Sequence, residues 1–86
     1  MFISKENAHA QTLVNENKRV KMDTWQLRQL IDLKIKKKID SGRFNVYIAI
    51  SSIDMFHVKA IASVIDELQS YGYRASIEAD ALYIEW

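Results

Sequence analysis

The stretch Arg43-Phe44-Asn45-Val46-Tyr47-Ile48-Ala49-Ile50 alternates side by side. Phe44, Val46, Ile48 and Ile50 share one face of an extended chain; Arg43, Asn45, Tyr47 and Ala49 share the other. This is a strand with one face against a core. Downstream, Ser51-Ser52-Ile53-Asp54 offers capping side chains. The spacing then predicts a helix from about Asp54 to Tyr71, with Val58, Ile61, Ala62, Ile65 and Leu68 as its buried stripe and Gly72 just past its end. Tyr73, Ala75, Ile77 and Ala79 alternate with Arg74, Ser76 and Glu78 in a second strand. A tight turn near Ala79-Asp80-Ala81 leads into a third, with Leu82, Ile84 and Trp86 inward and Tyr83 and Glu85 outward. The short spacing makes the last two strands a β-hairpin. A right-handed crossover joins the first two strands. The third carries the bulkiest apolar set, so its expected place is the middle of the sheet.

Upstream, Ser4 to about Ile39 has helical periodicity, with Ser4 as N-cap and Ser41-Gly42 as the stop. Leu27, Ile31, Ile35 and Ile39 recur every four residues beside Leu30, and Leu13 and Val20 prolong that face toward the N-terminus. Asp23, with Gln26 three residues on, has the spacing of a capping box. The segment is therefore one long helix or two, divided near Lys21–Asp23. The expected architecture is α+β: a long N-terminal helix followed by a β-α-β-β domain, with a three-stranded mixed sheet and both helices on one face. Residues 1–22 read as a helical arm and 23–86 as the α-β-α-β-β domain.

Composition narrows the class of function. At 86 residues, 49% hydrophobic and 27% charged, the chain holds one folded core. It lacks cysteine and proline, and its two glycines are Gly42 and Gly72. Disulfides, thiolate metal sites and Gly-rich phosphate loops are excluded, and a reducing compartment such as the cytoplasm fits. No apolar run reaches the ~18 residues of a membrane span, and Met1-Phe2-Ile3-Ser4-Lys5-Glu6 does not read as a signal peptide. The charge is polarised. Residues 1–43 hold ten Lys and Arg against five acids, a net of +5, and residues 44–86 hold two against six, a net of −4.

Groups with catalytic chemistry are few. His57 near Ser51, Ser52 and Asp54 reads as a helix N-terminus, without the strained turn that a Ser/His/Asp triad needs. Two ligands close in sequence do not make a metal site. Glu78, Asp80 and Glu85 surround a hairpin turn and read as solvated charges. No enzyme activity, cofactor, metal or small-molecule substrate is expected. Met22, Trp25 and Leu33, by contrast, point away from the buried stripe, spread over about 80° of the opposite side. Trp and Met in such a position mark a contact with a protein partner or with another copy of the chain. The alternative is nucleic-acid binding by Lys34, Lys36, Lys37, Lys38 and Arg43, with Tyr47 and Tyr83 as stacking surfaces. Cations in a last helical turn also simply complement the helix dipole.

The layout resembles that of small uncharacterised proteins of tailed bacteriophages, especially large ones with T4-like virions. The resemblance rests on a first helix running from Ala8-His9-Ala10 through Asn15-Glu16-Asn17 and Ile31-Asp32-Leu33-Lys34-Ile35 to Ile39-Asp40-Ser41-Gly42. It rests further on Leu68-Gln69-Ser70-Tyr71-Gly72-Tyr73 and on the closing Leu82-Tyr83-Ile84-Glu85-Trp86. Glu78-Ala79-Asp80-Ala81 stands where a Gly- or Asn-containing turn is usual. The resemblance implies a phage origin, a place in the host cytoplasm or the virion, and a role as assembly factor, virion component or inhibitor of a host system. It carries no catalytic residues.

Overall fold

The computed structural model describes residues 2–86. Its first helix, α1 (Lys5–Asp40), is one unbroken element of 36 residues. Ser4 is extended, and its Oγ accepts a hydrogen bond from the Asn7 amide at 3.2 Å, which satisfies one of the free donors at the helix start. The internal restart at Asp23 does not occur, because its carboxylate is used elsewhere: Oδ2 accepts the backbone N–H of His57 at 2.7 Å. At about 1.5 Å per residue the helix is about 54 Å long, and it sets the long axis of a molecule 60 × 23 × 18 Å in extent.

The two glycines end the two helices in the same way. At the end of α1, Gly42 (φ +73°) donates to the Ile39 carbonyl and Arg43 to that of Lys38. After α2 (Val58–Ser70), Gly72 (φ +92°) donates to Gln69 and Tyr73 to Leu68. Each is a Schellman closure, which needs a left-handed residue that only glycine adopts without penalty.

Between the helices, β1 (Asn45–Ala49) passes into a 3-10 turn at Ile50–Ser52. Ile53 then drops fully into the core, and α2 starts only at Val58, later than expected. Ser51, Ser52 and Asp54 do not cap it. His57 does, through Nδ1, which accepts the Lys59 amide at 3.1 Å. The inward row of α2 is Ala60, Val64 and Leu68, with Ile61 and Ile65 half-buried, while the expected Val58 and Ala62 are exposed. The reason is that α2 is covered on two sides, by α1 and by β2 (Arg74–Glu78), so its buried arc turns toward the corner between them.

The sheet order is β1-β3-β2, with β3 (Ala81–Glu85) central as expected. The sheet is antiparallel throughout, not mixed. The hairpin makes β3 antiparallel to β2 (Ala75↔Ile84, Ile77↔Leu82), and its insertion beside β1 makes it antiparallel there too (Val46↔Ile84, Ile48↔Leu82). β1 and β2 run parallel but never touch. The hairpin turn is Ala79-Asp80, with Ala79 held at φ +52°.

One face of the sheet, with Val46, Ile48, Ala75, Leu82 and Ile84, packs under both helices. Leu27, Ile31 and Ile35 come down from α1, and Val64 and Leu68 from α2. Leu27, Ile53, Leu82 and Ile84 are fully buried, and burying each contributes roughly 1.5–3 kcal/mol. Not every expected inward residue reaches this core. Phe44, just before β1, and Ile77, on the edge strand β2, are exposed, as are Leu13 and Ile39 on α1. Tyr73 is half-buried, with its ring edge-on to Trp86. Among the described residues no polar or charged residue is buried.

Candidate interaction surface

α1 is fastened to the rest of the molecule at two places, and these fix which way its free side looks. The first is a group of polar contacts to the loop before α2. Glu16 Oε1 lies 2.5 Å from Lys59 Nζ and 3.5 Å from His57 Nε2. Arg19 Nη2 donates to the Met55 carbonyl at 3.3 Å, and Asp23 takes the His57 amide. The hydrogen bond and positive charge of Lys59, helped by His57, hold the Glu16 carboxyl below its ordinary pKa despite some desolvation. The second is at mid-helix, where Arg28 donates through Nε (3.1 Å) and Nη2 (2.8 Å) to Glu67 Oε2 on α2. Between Lys5 and Asn15, no side chain among the described residues bonds to the rest of the fold.

With Leu27, Ile31 and Ile35 locked inward, about 100° per residue carries Met22, Trp25 and Leu33 to the opposite side. They are 62%, 60% and 64% exposed. The same arithmetic adds a residue that the sequence reading passed over. Val14, exposed, lies within about 20° of Trp25 around the axis. Its signal was the eleven-residue step to Trp25, three helical turns, hidden in the weakly amphipathic half of the helix.

The basic cluster divides: Lys34, Lys37 and Lys38 fall within about 100° of arc around α1, and Lys36 lies on another side. Lys36 and Lys38 point about 160° apart around α1. Lys36 Nζ is 2.8 Å from Asp32 Oδ2, a contact that raises the lysine's pKa. Lys37 and Lys38 occupy the last turn, where cations complement the helix dipole. Arg43 lies beyond the glycine, exposed.

The outer face of the sheet carries Asn45, Tyr47, Ser76, Glu78, Tyr83 and Glu85. The Tyr47 and Tyr83 rings lie 4.7 Å apart and pack on each other. The Tyr83 hydroxyl donates to Glu85, whose hydrogen bond and charge, with some desolvation, raise the phenol pKa. A groove of about 520 Å³ runs between α1 and α2, floored by Ile31, Ile35, Val64 and Leu68 and edged by Arg28 and Tyr71. Its charged neighbours are already paired, Arg28 with Glu67 and Asp32 with Lys36. His57 has Nδ1 engaged by Lys59 and Nε2 turned to Glu16, so neither nitrogen faces Ser51 or Ser52. Among the described residues no three His, Asp or Glu side chains gather as a metal site, and no helix is long and apolar enough to cross a membrane.

Comparison of the chain with protein-family models, curated proteins and solved structures finds no match.

Proposed function

We propose that the protein acts by protein–protein contact through the outer face of α1, as a non-enzymatic interaction module. The observation that carries this reading is the exposure of Met22, Trp25, Leu33 and Val14 on the one side of a helix whose other side is locked to the core. A large aromatic ring exposes on the order of 100 Å² at such a position, and four large apolar side chains together some 400 Å², the size of the functional patches found on monomers. At about 25 cal/mol per Å², covering them contributes roughly 10 kcal/mol before the cost of association, itself about 4–15 kcal/mol. That balance suits a reversible contact. In the setting implied by the resemblance to small tailed-phage proteins, such a module serves as an assembly factor, a virion component or an inhibitor of a host system. Nucleic-acid binding by Lys34, Lys36, Lys37, Lys38 and Arg43 is the less supported reading, because Lys36 is paired with Asp32 and Lys37 and Lys38 already complement the dipole of the last helical turn.

The test is site-directed photo-crosslinking in the producing cell. A photoreactive side chain at Gln29, between Trp25 and Leu33, is expected to give covalent protein adducts, while one at Ser76 on the outer sheet face is not. Adducts from Ser76 and none from Gln29 would refute the assignment.

A further inference from the structure

We infer that the outer face of α1 pairs with the same face of a second copy, antiparallel, about a two-fold axis midway between Met22 and Trp25. The inference rests on the docking reading above and supplies the occupant. Val14, Lys18, Met22, Trp25, Gln29 and Leu33 step by three or four residues and fall within about 100° of arc. From the midpoint outward the order is apolar, polar, apolar in both directions. The next positions, Gln11 and Lys36, are again both polar. An isologous contact demands this symmetry, because residue i must suit j while j suits i. In the antiparallel pair Met22 meets Trp25 of the second copy, Val14 meets its Leu33, and Lys18 meets its neutral Gln29.

The competing arrangements lack this match. A parallel pair sets Lys18 against Lys18 and aligns the two helix dipoles, whereas the antiparallel pair opposes the dipoles and puts no two cations face to face. The buried stripe of α1 faces away from the strip, so the two sheets lie on the far sides of the helix pair and do not collide. The strip from Gln11 to Lys36 is about 38 Å long on a helix about 10–12 Å across. That gives roughly 400 Å² per copy, about half of what a stable dimer buries on each side. The expected state is therefore a dimer in the micromolar range.

Sedimentation equilibrium of the full chain from about 1 to 500 µM is expected to show the mass rising from 10.0 kDa toward twice that value. The chain has no cysteine, so single-cysteine variants report the register directly. Lys18→Cys mixed with Gln29→Cys should oxidise to a mixed dimer far faster than either variant alone. Trp25→Asp should weaken dimerisation by about 30-fold or more with an unchanged circular dichroism spectrum. Gln29→Lys, which should not disturb folding, places two cations opposite each other twice and should weaken it about fivefold, and adding Lys18→Glu should restore it. Homodimers of Lys18→Cys alone would overturn the antiparallel register. A constant monomer mass at all concentrations would overturn self-pairing; Gln29 photo-adducts to a different protein would then leave the docking reading standing, and no adducts would remove both.

Discussion

Replacing Asp23 tests how α1 is held. Its carboxylate receives the backbone amide of His57, the residue that caps α2, and its side chain is only 15% exposed. A hydrogen bond to a charged acceptor contributes about 1.5–3 kcal/mol, and its loss strands a half-buried amide. The ion pair with Arg19, at 3.5 Å with the arginine 61% exposed, adds little. Alanine is a better helix former than aspartate by roughly 0.5 kcal/mol. Asp23→Ala should therefore cost about 1.5 kcal/mol, read as a lower urea midpoint with unchanged slope and as a fall in melting temperature of roughly 6–12 °C. Asp23→Asn keeps an acceptor and should lose about half as much. Hydrogen exchange should quicken at residues 55–59. If Asp23 instead capped a second helix, Asn would replace it at no cost and the quickened amides would be 24–26. That pattern, or an Asp23→Ala variant as stable as the parent, would refute the latch.

Two further outcomes follow from particular contacts. Ala79 sits at φ +52° in the hairpin turn, where an L-residue costs about 1–2 kcal/mol and glycine loses about 0.4–1 kcal/mol in unfolded-state entropy; Ala79→Gly should raise stability by up to about 1 kcal/mol in urea unfolding, and any destabilisation would contradict the turn. The Glu16 carboxyl is held below 4.5 in the folded state by Lys59, so its stabilisation is present above the unfolded value and is lost as pH falls through the folded one; the stability deficit of Glu16→Gln should shrink from about pH 6 to about pH 3, and a deficit independent of pH would exclude the Glu16–Lys59 contact.

Much of this fold was legible because its signals are local and redundant. Alternation in residues 43–50 and 81–86 found the strands, the two glycines marked both helix ends, and the apolar bulk of Leu82 and Ile84 placed β3 centrally. What was not legible depends on partners distant in sequence. Ser51, Ser52 and Asp54 have capping chemistry, but the position of Ile53 in the core and the bond from His57 to Asp23 delay the helix by four residues. The inward side of α2 turned toward α1, whose approach no periodicity within residues 54–71 encodes. The antiparallel sheet was implicit once β3 was put in the middle, since a strand reversed by a hairpin must oppose two parallel neighbours. The exposed side of α1 was legible in Met22, Trp25 and Leu33, because a locked apolar stripe determines its own opposite. The lysine run was legible only as charge; the helix then sets Lys36 apart, beside Asp32, from Lys34, Lys37 and Lys38.

The free end of α1 ties these features together. From Lys5 to Asn15 the helix extends about 16 Å past the last polar latch at Glu16. An isolated segment of that length does not hold helical form in water, because nucleation is costly. Joined to the packed stretch around Leu27, it needs only propagation, which for ordinary residues is close to neutral per residue. The overhang is thus formed but weakly held, and it carries Gln11 and Val14. In the proposed antiparallel pair these two would meet Lys36 and Leu33 of the second copy, on the part of α1 that the core supports best. Each chain's weakest helical stretch would then rest on the other's most rigid one. Such a contact would order what folding alone leaves marginal, and it would give the exposed Val14, Met22, Trp25 and Leu33 a use that the core does not.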